Sequence, residues 1–416
     1  MEINKTIESL AGNSGNGIIH HNNHTYFVPA TVPGDQVMFE DTLPSSNKRW
    51  HETTAKSLVE PSPERIKSPC SLYPDDPSSM NNRCGGCPWM CVSTKIETQS
   101  KLEIWERALR QTEFDWEKTG SIISIPSALG YRTRNRLAFA NKKCGYRQSS
   151  SNRLVYPEKC PILKYSNNFK TINEFLPAQG HGEIKAVWNE KGEFILSIQG
   201  KCSENQSELQ TRFAELENKN LLGIKWGRYQ FGSPWLKLCD SPDLPPLYLN
   251  ADSFYQPGID ANLQLLKVLG NYLDKIAKLD SIVEFHAGAG NFTRLLAQKA
   301  EVVAVESQAQ AVEAFRKNFA QTVKVIQIKD KKFKFFKETD LIVLDPPRTG
   351  LSKQMISKIG SEKVKNLILF SCDPMAGKRD LDRLSKQSYQ IKDITLVNTM
   401  PKTPHFEIVS RLEFID

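Results

Sequence analysis

The chain has 416 residues, 39% of them hydrophobic and 25% charged, with a formal net charge of +8. That is the composition of a folded soluble protein, too long for one small core, so two or three domains are expected; the surplus of cations suits a polyanionic partner such as nucleic acid. No uncharged apolar run approaches the ~18 residues that cross a bilayer, and Met1-Glu2-Ile3-Asn4-Lys5 lacks a secretory pattern, which excludes membrane and exported classes in favour of the cytosol.

Residues 6–60 read as short strands cut by turns: Gly12-Asn13-Ser14-Gly15-Asn16-Gly17, then Thr25-Tyr26-Phe27-Val28, then Pro33-Gly34-Asp35 before Gln36-Val37-Met38-Phe39. Such punctuation predicts a small β-barrel, with Pro61-Ser62-Pro63-Glu64 as its exit. The domain division that follows is 1–62, 63–250 and 251–416.

Nine cysteines in a cytosolic chain point to metal or catalysis rather than disulfides. Thirteen residues separate Cys70 from Cys84, two separate Cys84 from Cys87, and seventy-two separate Cys87 from Cys160, with Cys91 a competing ligand. Zinc more often takes two close pairs. One close pair with an upstream and a distant cysteine is nearer an iron–sulfur pattern. Cys144, Cys202 and Cys239 read as core residues.

Residues 94–112 have helical periodicity, with Ile96, Leu102, Trp105 and Leu109 close to one face. From 121 to about 250 the chain is strand-rich, without a legible topology. Within it, Arg132, Arg134 and Arg136 would share one face of a strand, either solvated or touching phosphates.

From 260 the pattern changes. Leu263, Leu266, Leu269, Leu273 and Ile276 mark an amphipathic helix, and the apolar strands Ser281–Phe285, Val302–Val305, Leu341–Leu344 and Leu367–Phe370 alternate with helices. This is an α/β, doubly wound and mostly parallel sheet, whose ligands sit beyond the strands' carboxyl ends. The first strand runs into His286-Ala287-Gly288-Ala289-Gly290-Asn291, and the second ends at Glu306, where a carboxylate can accept both ribose hydroxyls. An ordinary tight turn or a dinucleotide site would use similar residues. No third glycine follows at the Rossmann spacing, which favours S-adenosylmethionine over NAD. Lys329–Lys337 reads as a solvated edge with buried aromatics.

Asp345-Pro346-Pro347-Arg348 leaves the third strand by a rigid extended exit. Asn366–Phe370 delivers Ser371-Cys372-Asp373-Pro374. A buried cysteine is usually an inert hydrophobe, but Cys372 ends a strand in the presumed cofactor cleft. Thr403-Pro404-His405-Phe406-Glu407 leads into the last strand, and Glu407 alone would pass for a surface charge.

Together, the glycine loop with its downstream acid, the strand-end Asp-Pro-Pro-Arg, the Ser-Cys-Asp-Pro and the terminal His-x-Glu resemble the RNA uracil-5 methyltransferase family, over nearly the whole chain. Within it the arrangement looks most like the bacterial 23S ribosomal RNA enzymes that carry an iron–sulfur cluster. The resemblance implies a Rossmann-like class I methyltransferase domain, an N-terminal RNA-binding TRAM barrel and a strand-rich central domain. It implies methylation of carbon 5 of a uridine in 23S rRNA, with tRNA second, by a monomer. Cys372 would add to carbon 6 as nucleophile, and Glu407 would remove the carbon-5 proton. Gln256, His286, Asn291, Glu306, Asp330 and Asp345 would contact the S-adenosyl-L-methionine, and Cys70, Cys84, Cys87 and Cys160 would hold a [4Fe-4S] cluster. His286, Ala287, Pro257-Gly258, Asp373 and Ala376 depart from the family's pattern, which leaves a catalytically impaired RNA-binding homologue as the alternative. A radical iron–sulfur methylase would want three cysteines in one tight loop, which the chain lacks.

Overall fold

Alternating burial along residues 2–60 folds the N-terminus into two small sheets. The computed structural model describes residues 2–41, 49–80, 83–110, 122–202, 204–216, 219–334 and 338–415. One sheet orders Glu2–Thr6, Gln36–Glu40 and Ala55–Glu60; the other orders Ser9–Leu10, Gly17–His21, His24–Val28 and Trp50–Glu52. Their inward residues, among them Ile19, Tyr26, Val37 and Phe39, make a common core, which is how a barrel of short strands hides its apolar face.

The helix Thr94–Leu109 starts where the Ser93 hydroxyl accepts the Ile96 amide, satisfying a donor that a helix start leaves free. Residues 111 and 112 of the expected helix lie outside the described residues. The strand-rich region forms a seven-stranded sheet ordered 154–155, 143–147, 134–140, 180–188, 194–202, 221–226 and 229–232. Leu137, Phe139, Ile184, Trp188, Ile198 and Ile224 lie on one face of it and bury against the helices Phe169–Phe175 and Gln206–Leu216.

The C-terminal sheet has eight strands: Lys324–Gln327, Glu301–Glu306, Ser281–Phe285, Leu341–Leu344, Asn366–Ser371, Glu407–Phe414, Tyr389–Asn398 and Ile122–Ser124. The first five are parallel, and the helices between them make this the doubly wound α/β fold that the sequence predicts. Glu407–Phe414 enters antiparallel between the fifth and seventh strands. Its beginning therefore lies at the carboxyl ends of the parallel strands. Ile122–Ser124 precedes the central sheet in sequence yet pairs with Leu396–Asn398, so the central sheet is spliced into the C-terminal one. Among the described residues no helix is long and apolar enough to cross a membrane.

Candidate active site

Ser371 pairs with Ile408 across the antiparallel junction, so the next residue of one strand, Cys372, and the preceding residue of the other, Glu407, meet at one edge of the sheet. The two come from sequence positions thirty-five apart and are juxtaposed by strand direction alone. Cys372 is half-buried and Glu407 is buried. Burial pushes the Cys372 thiol up to about 12, Glu407 and Asp345 reinforcing it and the Arg348 guanidinium opposing it. Burial and Asp345 likewise hold the Glu407 carboxyl well above its ordinary range, again against Arg348. Asp345 leaves part of its surface to the cleft, yet burial of its carboxyl pushes it up to about 7. The site is thus a cluster of acids whose burial and mutual repulsion favour their protonated forms, beside the Arg348 guanidinium. A second cation brought beside them would favour their ionised forms.

His405, two residues before Glu407, is pushed down to about 4 by burial, Arg348 and Lys101, so its ring is neutral. Asp373 accepts the Ala376 amide at 2.8 Å and caps the helix Pro374–Ser385. An asparagine would cap equally well, so the departure at 373 keeps the local geometry.

The glycine loop lies at the same carboxyl end of the sheet as Cys372, two strands away. Its backbone enters the left-handed region at His286 (φ 60°), Gly288 (φ 59°) and Gly290 (φ 90°). A Cβ on Gly290 would lie 2.1 Å from the Phe319 ring, whereas one on Gly288 would meet nothing within 4 Å. Gly290 serves packing; Gly288 faces open space. Glu306 at the second strand's end takes the Gly288 amide at 3.0 Å on one oxygen and the Ser307 and Gln308 amides at 2.6 and 2.8 Å on the other. Three amides orient this carboxylate toward the cleft with lone pairs to spare. The His286 ring lies 3.8 Å from the Asp330 carboxylate.

Asn291 stands differently from its neighbours. Its side chain forms a reciprocal amide pair with Asn262 and accepts the Arg294 guanidinium at 3.0 Å. Arg294 in turn grips Asp240 at 2.8 and 3.1 Å, and Asp240 accepts the Tyr255 hydroxyl and the Asn262 amide, each at 2.7 Å. Asn291 therefore braces the glycine loop against Tyr255 and, through the chain, against the buried Gln256. Asp240, Asn262 and Arg294 escaped the sequence reading because each is an isolated polar residue without a motif. Glu284 also escaped it: buried one strand turn before the loop, it accepts the Thr293 hydroxyl and is pushed up to about 8 by burial, Asp345 and Glu306. An acid inside an apolar strand was its available signal.

The four cysteines converge. Cys70, Cys84, Cys87 and Cys160 line one recess with Tyr146 and Met90. Burial raises Cys84 to about 11, with its sister thiols adding to the effect, and pushes Cys70 and Cys87 up as well. Among the described residues no three His, Cys, Asp or Glu side chains are grouped to hold a single metal ion; the thiols stand around a space instead. Cys91 is apart from them, buried with its sulfur 3.3 Å from the Tyr73 hydroxyl.

The three arginines divide. Arg134 donates to the Tyr255 carbonyl at 3.3 Å and lies over the Phe254 ring, Arg132 donates to the Arg134 carbonyl, and Arg136 alone is well exposed. In the Lys329–Lys337 stretch, Phe333 is buried edge-on to Phe285; residues 335–337 lie outside the described residues.

A family model described as tRNA (Uracil-5-)-methyltransferase matches residues 247–413. An uncharacterized RNA methyltransferase of Nitrosomonas europaea is 26% identical over 95% of this chain and 93% of its own. The 23S rRNA (uracil(1939)-C(5))-methyltransferase of Shewanella woodyi is 26% identical over 96% of this chain and 93% of its own. Among solved structures, Pyrococcus abyssi tRNA (uracil-54, C5)-methyltransferase in complex with S-adenosyl-L-homocysteine superposes with a TM-score of 0.75 at 19% identity, over 99% of this chain and 100% of that one. That superposition shares the fold.

Proposed function

We propose that this chain, which belongs to the RNA uracil-5 methyltransferase family, moves a methyl group from S-adenosylmethionine to carbon 5 of a uridine in RNA, with Cys372 as nucleophile and Glu407 as general base. The observation that carries the reading is the meeting of Cys372 and Glu407 across the Ser371–Ile408 pairing, at the sheet edge that also bears the glycine loop and Glu306.

The residues fit the methyl donor. Glu306 is held by three amides where ribose hydroxyls would be received, and Gly288 leaves space in front of the loop. Gln256, His286, Asp330 and Asp345 border the same cleft in this reading, with Asn291 behind them. When bound, S-adenosylmethionine supplies an electrophilic methyl group and a sulfonium charge.

The chain's own groups do the rest. Cys372 gives up its proton to a neighbouring carboxylate, of which Asp345, at about 7, is the one poised near neutrality. The thiolate adds to carbon 6, and the C5=C6 electron pair moves onto carbon 5 and the C4 carbonyl as an enolate. Carbon 5 takes the methyl group, and the bond between methyl and sulfonium sulfur breaks. Glu407 then removes the carbon-5 proton, those electrons re-form C5=C6, and Cys372 leaves as thiolate. Arg348 favours the ionised forms of Cys372 and Glu407 throughout. The uridine must be turned out of any stack to enter the cleft, which single-stranded or loop RNA permits most easily.

Four thiols around one recess, spaced as one close pair with an upstream and a distant cysteine, suit a [4Fe-4S] cluster held by Cys70, Cys84, Cys87 and Cys160 better than zinc. Methyl transfer has no net redox change, so the cluster's part would be to bind the 70–91 segment to the 160 loop. The substrate we favour is 23S rRNA, as named for the Shewanella woodyi relative. The same reading has a cytosolic monomer of three units, 1–62, 63–250 and 251–416, the second lending one strand to the third.

The test is Cys372→Ala. It should abolish 5-methyluridine formation while keeping RNA and S-adenosylmethionine binding; normal methylation by this variant would overturn the nucleophile assignment. Mapping 5-methyluridine by mass spectrometry in total RNA, with and without the protein, identifies the uridine and separates ribosomal from transfer RNA.

A further inference from the structure

Strand register aligns a row of polar residues across the seven-stranded sheet. Arg136 pairs with Lys185, Lys185 with Ser197, Ser197 with Lys225 and Lys225 with Gln230. Residues directly opposite in neighbouring strands point to the same face, and alternate residues on these strands, such as Ile184, Ile198 and Ile224, bury against the helices on the other side. The row therefore lies on the face that the helices leave open. Strands are about 4.8 Å apart, so the backbones of Arg136 and Lys225 stand about 14 Å apart.

Arg147, on the strand beside Arg136, extends the row: its guanidinium lies 3.6 Å from Glu183, the same carboxylate that Arg136 contacts. The side chains are 69% exposed at Arg136, 49% at Arg147, 33% at Lys185 and 50% at Lys225, so solvent-borne anions can reach all four. Two recesses flank the row, one lined by Gly85, Gly86 and Arg136, the other by Lys225, Trp235 and Asp252.

Carboxylates share the face. Glu183 bridges the two arginines, Asp252 bridges Lys185 at 2.8 Å and Lys225 at 3.2 Å, and Glu313 lies at the far rim. Four cations against three carboxylates leave the face positive, and the exposed pairs of Glu183 with Arg136 and Arg147 are worth little enough for a phosphate to compete, while Asp252, only 15% exposed, leaves the Lys225 ammonium half exposed. The row also has a direction. Asp252 lies four residues before Gln256, and Arg134, two residues from Arg136 on the same strand face, reaches the Tyr255 carbonyl. Beyond the row that face closes, with Val187 and Ile195 buried against Leu236 and Leu249.

We propose that the row Arg147–Arg136–Lys185–Lys225 is a track for the sugar–phosphate backbone of single-stranded RNA, running over the open face of the central sheet beside the segment that carries Gln256. It rests on the reading of this chain as an RNA uridine methyltransferase and adds to it where the strand outside the cleft is held. Arginine forks bind phosphate bidentately and carry no sequence information themselves, so the track sets position rather than choice of base.

The experiment measures the affinity of a uridine-bearing RNA stem–loop with single-stranded flanks, by fluorescence anisotropy across a salt series. The comparison is R136Q/K225Q against R136Q alone, K225Q alone and a charge-matched control, K219Q/K299Q, on exposed lysines elsewhere. Each lost phosphate contact lowers the slope of log affinity against log salt by about 0.7 for single strands. The double variant should lose about 1.4 from the slope and about tenfold in affinity at low salt, each single variant about half the slope change, and the control neither. Unchanged S-adenosylmethionine binding by calorimetry certifies the fold. A double variant indistinguishable from the control overturns the track, as does an equal loss in the control. If the slopes fall as expected but the parent methylates no uridine in RNA, the functional reading fails and the track stands.

Discussion

Lys101 and Asn398, 297 positions apart, meet at 2.5 Å in a site closed to water. The same ammonium donates to Glu97 at 3.0 Å and to the Met400 carbonyl at 3.2 Å, and Glu97 receives Asn398 and the Lys402 amide at 2.9 and 3.0 Å. Trp89 lies under Lys101, and its amide donates to the Lys402 carbonyl at 3.1 Å. This network fastens the helix 94–109 and the cysteine-bearing segment to the loop 399–406, which delivers His405 and Glu407.

Removing the ammonium alone should therefore be costly. Lys101→Met leaves Glu97 buried and uncompensated, for a loss of about 3–5 kcal/mol; pairing it with Glu97→Gln should restore part of that. Chemical denaturation of the two variants checks the order. Equal stability of the single variant and the parent would mean that the network holds nothing.

The nucleophile and base separate by what each leaves behind. Glu407→Gln keeps Cys372 able to add but removes the acceptor of the carbon-5 proton, so a protein–RNA adduct that survives denaturing electrophoresis should accumulate. Cys372→Ala should form none. An adduct in the alanine variant would reject the covalent scheme.

Acidity sets a stability gradient. Asp345 and Glu284 keep protons up to about 7 and about 8 when folded, whereas unfolded carboxyls release theirs near pH 4. Their folded values are raised, so what they contribute is fully present below about pH 4 and is lost as pH rises through about 7 to 8. Against this background, Asp345→Asn should flatten the decline in the denaturant midpoint between pH 5 and pH 8, a window set by those same values. An unaltered pH profile would show that Asp345 ionises freely.

Gly288 and Gly290, two residues apart, should respond in opposite ways. Gly290→Ala drives a methyl group into the Phe319 ring at φ 90° and should destabilise the fold by about 2 kcal/mol or more. Gly288→Ala, at φ 59° with open space in front of it, should cost about 1 kcal/mol in strain and lose chiefly S-adenosylmethionine affinity. Thermal unfolding and calorimetry on both variants give the comparison; a Gly288 variant that binds the donor like the parent would move the donor away from the loop.

The cysteines offer a similar contrast. Cys87→Ser removes a wall of the recess and should lower the iron content and visible absorption of protein purified without oxygen. Cys91→Ser, whose sulfur meets the Tyr73 hydroxyl and does not line that recess, should retain both. Equal iron loss in the two, or iron in neither the parent nor the variants, would remove the cluster.

Local pattern made much of this protein legible in one dimension. The apolar runs Ser281–Phe285, Leu341–Leu344 and Leu367–Phe370 announced buried parallel strands because a strand covered on both faces is apolar at every position, and the polar residues after them marked the cleft because chemistry collects at such strand ends. The cysteine spacing was equally plain. The central region was not: most of its strands pair with their neighbours in sequence, but 134–140 joins 180–188 across the intervening helix Phe169–Phe175, and no single period runs through it.

Other relationships exist only once the chain is folded. That Cys372 stands beside Glu407 depends on the last strand entering antiparallel; in a parallel arrangement the two would lie at opposite edges of the sheet. Asn291 is tied into a network because Asn262 and Arg294 reach it from separate elements and Asp240 holds Arg294, and the alignment of Arg136, Lys185 and Lys225 arises from register between strands up to ninety residues apart. Sequence determined the residue types and the local backbone, through periodicity and sterics acting over a few positions. The pairing of distant strands decided which of those residues meet, because hydrogen-bond register and burial are satisfied by the whole sheet and by no single segment of it.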